Sequence, residues 1–151
     1  MKSDYLKFWR VIRYYIRAKY KISQADLEML LFLYSEKYFS VTDFEKFNHL
    51  LSWDTGRFNR LRHDGWIENF RPRGYGRKAL YGLTFKSTRM IQSIYRKLNG
   101  EEIPTHPNNN PLYKKKVSYS DKAYRDMITE MNKYIRESKS NDNYDIPFLD
   151  D

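Results

Sequence analysis

WDTGRFNRLRHDGWIENFRPRGYGRKALYGL, residues 53–83, changes its apolar period halfway along. Up to Asp64 the apolar Phe58 and Leu61 stand three residues apart, as on one face of a helix. Gly65 follows where a left-handed C-terminal cap is wanted. Beyond it, WIENFR (66–71) and ALYGL (79–83) have the length and the aromatic or branched content of strands. The Pro- and Gly-bearing RPRGYGRK between them reads as a basic loop. The stretch therefore predicts a helix over 53–64 and then a β-hairpin with a long tip.

Outward from this centre the pattern is helical. From Asp4 to Tyr20, Tyr5, Phe8, Trp9, Ile12, Tyr15 and Ile16 form an apolar stripe that Leu6, Val11 and Tyr14 widen, as if it met a second surface. Ser23 with Asp26 has the form of an N-cap and a first-turn acid, and Leu27, Leu30, Leu31, Tyr34 and Tyr38 give the next helix one apolar face. Thr42 and Glu45 make a capping box for a short helix with Phe44, Phe47 and Leu50 or Leu51 inward. After the hairpin, Thr84 caps a helix through Met90, Ile91, Ile94 and Leu98, which Asn99 and Gly100 end. EEIPTHPNNNPLYKKK has no period and reads as a linker, and Ser118 with Asp121 caps a last amphipathic helix. The predicted organisation is a domain over 1–100 with its N-terminal helix, a linker over 101–117, a helix over 118–138 and an acidic tail over 139–151.

Charge narrows the partners. The chain carries +9, unevenly: residues 1–100 hold 20 Lys and Arg against 9 Asp and Glu, residues 101–151 hold 8 against 10. A localised positive field attracts polyphosphate. There is no cysteine, hence no disulfide, thiolate zinc site or thiol nucleophile. No apolar run approaches a membrane span and no secretory cleavage pattern follows the N-terminus, so a soluble, cytoplasmic protein without membrane association is expected. The wealth of Lys, Asn, Tyr, Phe and Ile points to an A·T-rich coding genome, bacterial or viral (as in a phage).

Helix, helix, short helix, helix, hairpin, helix is the layout of a winged helix-turn-helix, whose second motif helix enters the major groove of DNA. The expected fold class is mainly α with a small β-hairpin wing and N- and C-terminal helices of dimerisation type. With Phe58 and Leu61 inward, Gly56, Arg60 and His63 fall on the far side of the 53–64 helix, flanked by Arg57, Asn59 and Trp53. Asn and Arg can make bidentate contacts to adenine and guanine, and Gly56 permits close approach. Surface arginines often serve only solubility, but a second basic element follows: Arg71, Arg73, Arg77 and Lys78 around Gly74, Tyr75 and Gly76, able to reach phosphates or the minor groove. The predicted DNA contacts are Thr55, Gly56, Arg57, Asn59, Arg60, His63, Arg71, Arg73, Tyr75, Arg77 and Lys78. Trp53 fits packing against the preceding helix better than base contact.

LRHDGWIENF (61–70), followed after a basic turn by GRKALYGLT (76–84), resembles the signature of MarR-type winged-helix regulators, over about Tyr5 to Leu98. In that family a Leu, a Gly and an apolar pair mark the passage from recognition helix to wing, matched here by Leu61, Gly65, Trp66 and Ile67. An Asp-Arg pair and a Leu-Thr follow, matched by Gly76-Arg77 and Leu83-Thr84. Arg77 thus lacks its acidic neighbour, and Ser87 stands where the family commonly has Gly. The resemblance implies a transcription regulator that binds double-stranded DNA as a homodimer, built from the first and last helices through Phe8, Trp9, Ile12, Ile16, Tyr124, Met127, Ile128, Met131 and Ile135. It also implies a small-molecule effector of unspecified identity. The alternative for both helices is that they pad one monomeric core.

Catalysis is not expected. His49, His63 and His106 form no zinc-ligand spacing, and neither a nucleophile elbow nor a Walker loop is present, so no metal, cofactor or catalytic residue is assigned. The competing function is a winged-helix adaptor or virus-encoded modulator that contacts protein, its tail docking through Ile146, Phe148 and Leu149.

Overall fold

The computed structural model describes residues 5–46 and 55–144. The protein is mainly helical, with a two-stranded antiparallel hairpin between helices. In chain order the elements are α1 (Tyr5–Tyr20), α2 (Gln24–Tyr34), α3 (Val41–Lys46), α4 (Thr55–His63), β1 (Ile67–Arg71), β2 (Leu80–Leu83), α5 (Phe85–Leu98) and α6 (Tyr119–Tyr144), with a 3₁₀ turn at Pro111–Tyr113. Among the described residues no helix is long and apolar enough to cross a membrane. The chain forms two compact units, Ile22–Gln92 and Met1–Lys21 with Ser93–Asp151.

In the unit over 22–92, Ser23 Oγ accepts the Asp26 N–H at 3.1 Å and starts α2, which buries Leu27, Met29, Leu30 and Leu33. The helix stops at Tyr34, short of the expected Tyr38. Lys37 has φ +65° and turns the chain, so Tyr38 lies half-exposed with its ring stacked on Phe70 at 3.9 Å. Phe39 goes inward and bridges to Tyr81. The expected cap at Thr42 and Glu45 is displaced by this bridge. Extended backbone persists through Ser40, which becomes the cap: its Oγ accepts the Asp43 N–H at 3.1 Å and Asp43 Oδ2 accepts the Ser40 N–H at 3.0 Å. The Ser40 amide, aided by the Ser40 hydroxyl and Lys46, holds the Asp43 carboxyl below the usual carboxylate range, against partial desolvation. Phe44 is buried as expected; Phe47, Leu50, Leu51 and Trp53 lie outside the described residues.

Phe58 and Leu61 are the buried side of α4. Phe58 is the hub of an aromatic cluster, edge-on to Phe44 and Tyr81 at 5.0 Å each and to Phe39 at 6.4 Å. The helix ends as its sequence predicts. Gly65 has φ +82°, its N–H reaches Arg62 O at 3.2 Å, and the Trp66 N–H reaches Leu61 O at 2.9 Å, the paired bonds of a Schellman cap.

In the hairpin, Ile67 faces Leu83 and Asn69 faces Tyr81, with an irregularity between Asn69 and Arg71. Thr84 caps α5, its Oγ1 accepting the Ser87 N–H at 3.3 Å while it donates to Gly65 O at 2.7 Å. The Ser87 hydroxyl is buried and donates to Trp66 O at 2.6 Å. The helix after the hairpin is thereby tied to the turn before it.

In the other unit, α1 buries Phe8, Val11, Ile12, Tyr15 and Ile16, and α6 buries Ile128, Met131 and Ile135. The two helices meet: Phe8 packs edge-on to Tyr134 at 5.6 Å, and Tyr14 stacks on Tyr124 at 3.7 Å. Phe8, Ile12, Ile16, Ile128, Met131 and Ile135, named above for dimerisation, are therefore buried within one chain, while Met127 stays half-exposed and Trp9 and Tyr124 partly so. Residues 101–117 are irregular yet packed, with Ile103, Asn110 and Leu112 buried. The Arg125 guanidinium donates to Leu112 O at 2.7 and 3.0 Å. Ser118 caps α6 as expected, but the helix runs past Ser138 to Tyr144, into the expected tail. Ile146, Phe148 and Leu149 lie outside the described residues.

Candidate nucleic-acid interface

Every arginine of α4 has a partner inside the unit over 22–92. Arg57 Nη1 donates to Asp26 Oδ1 at 2.8 Å, and Arg60 Nη2 donates to Asp26 Oδ1 and Oδ2 at 2.9 and 3.1 Å. Arg57 is half-buried, at the flank of the exposed face. Arg60 leans toward α2 with about half its side chain exposed, 52%. Arg62 lies over the Tyr81 ring, 4.8 Å from its centroid, and shields the aromatic cluster. What α4 presents without such ties is Thr55, Gly56 and Asn59, all exposed, and His63, exposed and 3.4 Å from its neighbour Asp64.

The hairpin loop is built differently. Gly74 and Arg77 exchange backbone bonds at 3.2 and 3.1 Å, closing a tight turn with Tyr75 and Gly76 at its apex. Gly76 has φ +65°, which a residue with a Cβ adopts only with strain, and Tyr75 is fully exposed. The Arg77 guanidinium folds back over Gly74, where a Cβ would come within 3.3 Å of Nη2. Glycine at 74 thus leaves room for the Arg77 side chain. The Arg71 Nη2 donates to Lys78 O at 3.0 Å, bracing the base of the loop.

Arg73, Arg77 and Lys78 are exposed and have no ion-pair or side-chain hydrogen-bond partner among the described residues. With Gly74, Gly76 and Ala79 they form one wall of an open concavity of about 440 Å³. Ser40, Val41 and Thr42, at the start of α3, form the other. Between Phe70 and Leu80 there is no Asp or Glu to neutralise this surface. Cations and hydroxyls, with no acid among the described lining residues, suit an anion such as a phosphodiester.

Three contributors were not singled out from the sequence. Asp26 looked like a first-turn acid, and only the tertiary fold sets it against α4. Ser40 and Thr42 reach the hairpin loop because Phe39 pairs with Tyr81. The Tyr38–Phe70 stack leaves an aromatic pair half-exposed on the hairpin, and alternation in WIENFR was the available signal for Phe70. Comparison with family models, curated proteins and solved structures finds no match to this chain.

Proposed function

We propose that residues 22–92 are a winged helix-turn-helix domain that binds double-stranded DNA, with the hairpin as its wing and α4 as its recognition helix, in a regulator of MarR-like type. The observation that carries this reading is the cationic group Arg73, Arg77 and Lys78, without partners among the described residues and facing the hydroxyl-bearing start of α3. Cations that a fold leaves unpaired on a projecting loop are available to release counterions from a phosphate backbone. Thr55, Gly56, Asn59 and His63 supply a weakly charged edge for the groove, so the wing provides most of the electrostatic affinity. No catalytic step is proposed.

The test is fluorescence anisotropy on a mixed-sequence duplex across a salt series, comparing wild type with Arg73→Ala/Arg77→Ala. Binding that weakens steeply with salt is expected, and the double variant should reduce the slope by about 2, one per lost phosphate contact. No binding at low salt, or a double variant that binds like wild type, would overturn the assignment.

A further inference from the structure

Asp26 is nearly buried, at 8% exposure, yet its carboxylate serves two arginines of another helix. An ionised carboxylate taken out of water needs such partners, and a single arginine would supply them. The geometry divides the two. Arg57, with 23% of its side chain exposed, is fixed against the unit. Arg60 engages both carboxylate oxygens through Nη2 alone, at the surface of α4, and leaves Nη1, which shares the end-on edge of the guanidinium with Nη2, without a partner among the described residues.

We propose that Asp26 is a positioning residue for base recognition: it holds the Arg60 guanidinium in one orientation on α4 for reading guanine, with Arg57 as the brace that keeps the carboxylate in place. This rests on the DNA-binding reading above. Arginine recognises guanine through two donors presented together to O6 and N7, and a plane fixed beforehand loses less rotamer freedom on binding. An Arg60 released from Asp26 can swing to the nearest phosphate, which supplies affinity without sequence information. Asp26 is thus inferred to set specificity rather than affinity.

Wild type, Asp26→Asn, Arg60→Lys and Glu28→Gln are each used to select binders from one randomised duplex library, with thermal melts alongside. Glu28 is exposed on the same helix, so its variant adds the same unit of charge without touching Arg60. Wild type and Glu28→Gln should enrich a motif containing a G·C pair whose preference falls about tenfold in both Asp26→Asn and Arg60→Lys. Retention of that pair by Asp26→Asn overturns the positioning role, and retention by Arg60→Lys overturns the reader. Salt-dependent wild-type binding without an enriched motif overturns the inference and leaves DNA binding standing; absence of all binding overturns both. If Asp26→Asn does not fold, Asp26→Glu, which keeps the charge but displaces the carboxylate, takes its place with the same expected loss.

Discussion

Phe39 and Tyr81 exchange both of their backbone hydrogen bonds, the Phe39 N–H donating to Tyr81 O at 3.0 Å and the Tyr81 N–H to Phe39 O at 2.7 Å. A one-residue strand is thereby added to β2, and the segment entering α3 is held against the hairpin. Phe39 is also buried beside Phe58, whereas its neighbour Tyr38 is half-exposed. Phe39→Ala should therefore cost about 3 kcal/mol or more, and Tyr38→Ala, which loses only a surface stack, about 1 kcal/mol or less. Urea unfolding measures both. Equal costs would mean that the bridge does not anchor the hairpin.

What was legible in the sequence was local. Gly65 marked the end of α4 because a left-handed cap needs a glycine at that offset, and Thr84 marked the start of α5 for the equivalent reason at an N-terminus. Phe58 and Leu61 were recognisable by spacing. The Phe39 bridge was not, since a single paired residue has no period, and Tyr38 was placed on α2 because its spacing continued the helical stripe past a turn at Lys37 that no glycine announces. The Asp26 ion pairs span 31 and 34 residues, and neither the α4 wheel nor the cap at Ser23 carries information about such partners. The wheel of α4 accordingly could not show that its arginines are tied to Asp26 and Tyr81, whereas Arg73, Arg77 and Lys78 of the basic loop have no such partner among the described residues.

That contrast separates stability from binding. Arg73→Ala, Arg77→Ala and Lys78→Ala remove exposed cations with no partner among the described residues, so each should leave the unfolding free energy within about 0.5 kcal/mol of wild type. Arg57→Ala takes one of two partners from a nearly buried carboxylate and should cost about 1–3 kcal/mol. Chemical denaturation without DNA decides this. A wing variant as destabilising as Arg57→Ala would show that the loop cations have structural partners after all.

Asn132 grips the backbone of Ile103 from both sides: its Oδ1 accepts the Ile103 N–H at 2.9 Å and its Nδ2 donates to Ile103 O at 2.9 Å. The pair spans 29 residues, which is why a stretch rich in Pro and Asn read as a linker although it is packed. Asn132→Leu keeps a similar volume but leaves a buried donor and a buried acceptor unsatisfied, at an expected cost of about 2–4 kcal/mol. Amide exchange at Ile103 should accelerate along with the fall in stability. Unchanged protection there would mean that water replaces the side chain and that the clamp contributes little.

Tyr14 donates its hydroxyl to Asp121 Oδ1 at 2.6 Å while its ring lies flat on Tyr124. The hydrogen bond to Asp121, then partial burial and the repulsion of that carboxylate, push its pKa up to about 12 from an ordinary 10. A raised folded-state pKa means that the native protein holds this proton longer than the unfolded chain does. The associated stability is therefore complete below about pH 10 and is lost as pH rises from there through about 12. Tyr15, pushed up to about 12 mainly by burial, contributes in the same window and with the same sign. Tyr14→Phe should therefore lose less stability than wild type between these pH values. Its ultraviolet tyrosinate titration should also contain one fewer late-ionising group. Asp121→Asn should move the Tyr14 ionisation back toward 10 by removing both the charge and the strong acceptor. If Tyr14→Phe instead reproduces the wild-type alkaline profile by both measurements, the α1–α6 contact at Tyr14 does not hold its proton in solution.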